Sequence, residues 1–478
     1  MPSLLARSLV AAVAASAMLA QSGVAGAAPA GPAPTDADRA AARALLKTLV
    51  AIPSAKGRGQ VPKVVEVVTA RLAQAGFAPE DIVRVPIDID GERTQGLIVR
   101  YKGKGGPKKP VALLAHMDVV DAVPGSWTSD PYVPMEKDGY LHGRGSTDNK
   151  FAVTVLTETF ARLKRAGWTP DRDLFLAFSG DEETGMLSTR KVIAHPLMQG
   201  VEYALNADAG VGLLSKDGKP VAFSMQAAEK TTATFELTAS NPGGHSSAPR
   251  PDNAVYDLAD ALKAVQALSF PVELNEITRP MAAKMAKDEG GAFGSALERL
   301  LTDPTDAAAI AEAKRHPNSS NILWTTCVAT MLRGGNAPNA LPTGATATVN
   351  CRILPGTPAA AVQAKIQKAV GDKIAISLVG EAVESPISPV RKDILAALQT
   401  ATNATWPGVT LEPSLSSGGT EGREYRRAGV PTYGAGSLGL FPDDMRAHGA
   451  NERVPLASFD KELTYWNVLL GEIAGHGR

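Results

Sequence analysis

Three short apolar runs in this 478-residue chain end directly in side chains that can bind metal ions. Val111 to Ala115 runs into His116-Met117-Asp118, Leu174 to Phe178 into Asp181-Glu182-Glu183, and Tyr203 to Leu205 into Asn206-Ala207-Asp208. A fourth cluster, Gly143 to Lys150, has no strand pattern of its own and sets Asp148 just before a helical run, where it could equally cap the helix. Singly, an aspartate after a strand is an ordinary turn residue and a lone histidine an ordinary structural one. Together, two histidines and four or more carboxylates at strand ends exceed what caps and turns require. Imidazole and carboxylate donors suit Zn²⁺, Mn²⁺ or Co²⁺. The chain has only two cysteines, Cys327 and Cys351, so a thiolate cluster is excluded and a catalytic metal must use N and O ligands.

The elements that would position these groups fall into two textures. Asp36 to Ile52, with Thr35 as N-cap, and Pro62 to Ala75 have helical spacing, and then short continuous apolar runs alternate with helical stretches such as Phe151 to Ala166. That pattern predicts a doubly wound, mostly parallel sheet, in which ligands bind at the carboxyl ends of strands. From about Phe223 alternating strands and two amphipathic helices, Ala254 to Leu268 and Pro358 to Val370, predict a smaller α+β unit of ferredoxin-like type inserted into the first. Met281 to Pro317 reads as an elaboration of that smaller unit. The expected division is residues 28–222 and 389–478 for the larger unit and 223–388 for the insertion. Cys327 and Cys351 flank a hairpin that sets them nearly opposite one another, as a bridge or as two small buried residues.

Composition limits the partners. Lys+Arg 49 balances Asp+Glu 49, so no basic excess exists to bind nucleic acid. With 44% hydrophobic residues the chain is no disordered polymer. Arg7, the apolar run Ser8 to Leu19 and Ala25-Gly26-Ala27 read as a cleavable export signal over residues 1–27, too short to cross a bilayer, and no later segment is apolar for that long. The expected protein is therefore exported, periplasmic or secreted, without a membrane span.

In order and spacing, the motifs resemble the M20 family of co-catalytic zinc peptidases and amidohydrolases. They are His116-Met117-Asp118, Gly143-Arg144-Gly145 with Asp148-Asn149-Lys150, Asp181-Glu182-Glu183-Thr184-Gly185, Asp208, Gly244-His245-Ser246-Ser247, and Ala447-His448-Gly449 with Asn451-Glu452-Arg453. Asn350-Cys351-Arg352 and the Trp127 segment look most like Gly-Xaa carboxypeptidase-like enzymes. The resemblance implies two zinc ions: His116 and Asp208 on one, Glu183 and His448 on the other, Asp148 bridging, with a shared hydroxide as nucleophile. It implies Glu182 as general base and then acid, and Asp118 as the carboxylate that orients the His116 ring, since residues two apart in a strand share a face. It implies His245 as oxyanion donor, in many members across a dimer interface, and Asn339 and Arg352 as holders of the substrate's terminal carboxylate. Gly419 and Thr420 look like a substrate-side glycine loop.

The expected activity is cleavage of an amide bond next to a free carboxylate in small peptides, by a carboxypeptidase or dipeptidase. An N-acyl-amino-acid amidohydrolase is the alternative, because both reactions use the same attack and differ on the acyl side. A metal-dependent peptide-binding protein without turnover is the reading outside enzymes, and it would lack the base or a ligand. Two chains pairing through the inserted unit is an expected assembly. Gly434 to Gly439 fits Gly-x-Gly-x-x-Gly, but Phe441-Pro442-Asp443 follows where a dinucleotide site needs a helix.

Overall fold

The computed structural model describes residues 29–123 and 125–475. The expected export signal lies outside them.

Six strands form the central sheet, in the order Ile82–Ile89, Glu92–Tyr101, Leu174–Ser179, Val111–His116, Tyr203–Asn206, Thr432–Gly434. The first two are antiparallel to each other, Glu92–Tyr101 is antiparallel to Leu174–Ser179, and the remaining pairings are parallel. Every residue of Val111–His116 and Leu174–Ser179 is buried, which is why they read as unbroken apolar runs. Successive side chains nonetheless serve opposite faces. Val111, Leu113, Leu174 and Leu176 face the large core that includes residues of the helices Asp36–Val50, Val61–Gln74, Lys150–Arg165 and Leu456–Ala474. Ala112, Leu114, Phe175 and Ala177 face a second core with Val192 and Tyr425. Thr35 caps the first helix as expected: its hydroxyl accepts from the Asp38 N–H while the Asp38 carboxylate accepts from its own N–H.

A second sheet is wholly antiparallel, in the order Thr326–Gly334, Gly344–Ile353, Thr231–Ser240, Ile374–Val379. Ala233, Phe235, Leu237 and Ala239 alternate inward to pack on the helices Ala254–Ala267 and Ala359–Val370. In chain order these six elements run strand, helix, strand, strand, helix, strand. Cys327 and Cys351 are register partners on adjacent strands and form a disulfide.

Two sequence expectations give way here. The helices Thr278–Glu289, Gly291–Thr302 and Ala307–Ala313 do not elaborate the antiparallel unit: Ala282, Ala286, Phe293 and Leu297 join the large core, and the Leu415 N–H meets Met281 Sδ at 3.2 Å. An amphipathic stripe shows that a face is buried, not what covers it. The boundary at residue 223 also moves. Ser224–Glu229 pairs in parallel with Glu412–Ser416 and buries Met225, Ala227 and Ala228 in the large core, so the antiparallel sheet begins at Thr231. Among the described residues no helix is long and apolar enough to cross a membrane.

Candidate metal centre

The sheet delivers its ligand-bearing ends to one place. His116 closes its strand and is fully buried. Asp148 stands between two imidazoles: Oδ1 is 3.0 Å from His116 Nε2, and Oδ2 is 3.2 Å from His448 Nε2. His116 Nε2 also lies 3.6 Å from Asp208 Oδ1, and His448 Nε2 3.0 Å from Glu183 Oε2. Two imidazole–carboxylate pairs thus share one aspartate. The helix Lys150–Arg165 has Asn149 at its N-cap, so Asp148 is no helix cap. The Asp148–Asn149 peptide is cis, and Asn149 Nδ2 donates to Asp208 Oδ1 at 2.7 Å. His448 holds a left-handed backbone, φ 62°, in an exposed loop.

These donors fit a divalent cation. His116, Asp148 and Glu183 each offer a ligand atom within 4.8 Å of the others, and Glu183 Oε1 is buried without a hydrogen-bond partner. Charge points the same way. Burial alone would lower the His116 pKa, but Asp208, Asp118 and Asp148 outweigh it and hold the ring well above its ordinary value. Hydrogen bonds that the His448 ring donates to Asp148 and Glu183 raise its pKa to about 10. Burial raises Asp208 to about 6.

Asp118 differs in detail from its expected role. The strand ends at His116, so the extended geometry that would align the two side chains stops short. The His116 Nδ1 contact is the Asp118 backbone carbonyl at 3.0 Å, with the carboxylate at 3.5 Å. That carboxylate instead accepts the N–H groups of Glu182 and Glu183 at 3.1 and 3.0 Å, fixing the turn that carries both glutamates. Burial pushes Glu182 well above the carboxylate range against the pull of His116, and Asp208, Glu421 and Glu183 add to the push.

The remaining predicted residues lie on or facing the antiparallel unit. His245 is exposed, and its two-residue strand pairs with Ala340–Leu341, next to Asn339, whose carbonyl accepts from Ser246 N–H at 3.0 Å. No hydrogen bond or ion pair among the described residues joins His245 to the metal-ligand cluster. Arg352 reaches the Ser417 carbonyl at 3.4 Å, at the edge of the glycine loop. Thr420 is buried: its hydroxyl donates to Glu229 at 2.7 Å and accepts from Asn206 Nδ2 at 3.0 Å, while Gly419 stays exposed.

Two glutamates escaped the sequence reading as individual residues. Glu452, fully buried, accepts from Arg144 Nη1, from the N–H groups of Gly145, Thr147 and Asp148 and from the Thr147 hydroxyl, all at 2.7–3.0 Å. Its one signal was its place in Asn451-Glu452-Arg453. Glu421 accepts from Ser179 Oγ at 2.8 Å, its Oε1 is buried and unpartnered, and burial raises it to about 8.

The profile of peptidase family M20/M25/M40 matches residues 112–472, from the first ligand strand through His448. The chain belongs to this family. It is a hydrolase acting on C–N bonds. The N-fatty-acyl-amino acid synthase/hydrolase PM20D1 of Xenopus tropicalis is 28% identical over 383 residues, covering 78% of this chain and 74% of the relative. The probable carboxypeptidase S-like 2 of Dictyostelium discoideum is 26% identical over 387 residues, covering 78% and 73%. The M20 family metallo-carboxypeptidase Sso-CP2 of Sulfolobus solfataricus shares the fold, with a TM-score of 0.66 at 17% identity over 90% of this chain and 98% of that one.

Proposed function

We propose that this M20 member is an exported di-zinc hydrolase that cleaves an amide bond next to a free carboxylate in small peptides. The observation that carries the reading is Asp148 placed between His116 and His448, with one carboxylate oxygen toward each. His116 and Asp208 would hold one zinc, Glu183 and His448 the other, and Asp148 both. When bound, such a pair acidifies a water and polarises a carbonyl.

The protein's own groups then act around it. Glu182, aimed by the N–H contacts of its turn with Asp118, takes the proton of the attacking water and returns it to the leaving amine. His245 stabilises the oxyanion when the antiparallel unit, or that of a paired chain, approaches. Asn339 and Arg352 take the carboxylate, and Gly419 and Thr420 line the loop beside it.

A second reading, hydrolysis of N-acyl amino acids, is favoured by similarity to the N-fatty-acyl-amino acid synthase/hydrolase. The sequence pattern over residues 1–27, read as an export signal, favours a periplasmic or secreted location. A matched panel on the zinc-loaded protein tests the function: free dipeptides, the same dipeptides amidated at the C-terminus, and N-acyl amino acids. Cleavage of free dipeptides alone is expected. Preference for the acyl set would replace the peptidase reading with the second, and equal cleavage of amidated peptides would overturn the carboxylate requirement.

A further inference from the structure

Arg352 and Arg423 flank one loop from two different units. Arg352, on the antiparallel strand Gly344–Ile353, donates from Nη1 to Thr232 Oγ1 at 2.7 Å and to the Ser417 carbonyl at 3.4 Å. Arg423, on the helix Gly422–Arg427 of the larger unit, lays Nη1 against Gly419 so closely that a Cβ there would stand 3.1 Å away. Neither guanidinium has a carboxylate partner among the described residues, and Arg423 Nε is buried without an acceptor. The neighbours on the same helix differ: Arg426 pairs with Glu229 at 2.7 Å, and Arg427 with Glu381 at 2.7 Å. Burial and then the charge of Arg423 lower the Arg352 pKa. Two like charges brought together without a counter-ion oppose folding, and a fold tolerates them where an anion arrives as ligand.

The loop between them leads to the metal centre. Thr420 accepts from Asn206, and Asn206 Oδ1 accepts from the Asp208 N–H at 2.9 Å. We propose that Arg423 is a specificity-determining residue that shares the substrate's free carboxylate with Arg352, one guanidinium from each unit. This rests on the proposed requirement for a free carboxylate. The clamp spans both units, so a substrate that carries the anion would join Arg352 of the antiparallel sheet to Arg423 beside the loop of the metal centre.

Binding without turnover tests it: calorimetry with N-acetyl-leucine and its amide on zinc-loaded Glu182→Gln protein, alone and combined with Arg423→Gln, Arg423→Lys or Arg352→Gln. Arg423→Gln is expected to weaken the acid by about 10- to 100-fold, the range of a charge-assisted hydrogen bond, and the amide by less than threefold. Arg423→Lys should restore part of the loss. Acid binding that falls with Arg352→Gln but not with Arg423→Gln would overturn the shared clamp alone. Equal losses for acid and amide with Arg423→Gln would make its role structural and also overturn the clamp. Equal affinity for acid and amide before either arginine is changed would overturn the carboxylate reading and the clamp with it.

Discussion

The Asp148 N–H donates to Glu452 Oε1 at 3.0 Å, while the Asp148 side chain meets His448, four residues before Glu452, at 3.2 Å. One segment therefore grips the shared aspartate by backbone and by carboxylate. Arg144 closes the arrangement by donating to Glu452 and to the carbonyls of His448 and Gly449. Every partner of Glu452 is a donor, so an amide in its place would turn two N–H bonds toward other donors.

Glu452→Gln is expected to fold and to bind zinc about 10- to 100-fold more weakly, the usual effect of a residue that positions ligands. Competition against a chromogenic chelator measures this, and unchanged affinity would show that the ligand loop holds itself.

The disulfide gives a second prediction. Sequence left a bridge and two buried thiols equally open, and the register decides between them, because Cys327 and Cys351 are paired residues of one ladder. Unreduced protein should present no titratable thiol. Reduction should destabilise by about 3 kcal/mol for a closed loop of this length, read as a shift in the denaturation midpoint. Two reactive thiols in native protein would contradict the bridge.

Glu462 makes stability depend on pH. It is fully buried, and burial raises its carboxyl to about 7, although Ser437 and Trp466 donate to it. The fold favours the protonated form, so its contribution is complete below the unfolded value near 4.5 and is lost as pH rises to about 7. The non-titrating Glu462→Gln protein should therefore gain on the wild type between those limits, by roughly 3 kcal/mol in total. Urea denaturation at stepped pH measures the difference, and a constant offset would show that Glu462 ionises freely in the fold.

The strands leading to His116, Glu183 and Asp208 were legible because burial on both faces writes an unbroken apolar run, and the proposed ligands sit at or just beyond the point where the run stops. Asp148 was legible only through the resemblance, since its loop has no periodicity and its position before a helix suits a cap as well. Glu452 lies in a polar segment that looks like a surface turn, and only the fold buries it beneath the Gly143–Asp148 loop. Arg423 carries no motif of its own in the sequence; it stands apart only in the fold, where its helix neighbours Arg426 and Arg427 find carboxylates and it does not. The helices from Thr278 to Ala313 illustrate the remaining limit: the segment from Met281 to Pro317 read as an elaboration of the smaller unit, but its partner, the Ser224–Glu229 and Glu412–Ser416 pair, is assembled from segments far apart in the chain.

The most direct measurement compares wild type and Glu182→Gln, each loaded with zinc and checked for equal metal content, in steady-state hydrolysis of one free dipeptide. In the variant kcat is expected to fall by about 10²- to 10⁴-fold, the range for loss of a general base, with KM little changed. A variant that keeps its zinc and retains kcat within threefold would contradict the assignment of proton transfer to Glu182 and the mechanism built on it.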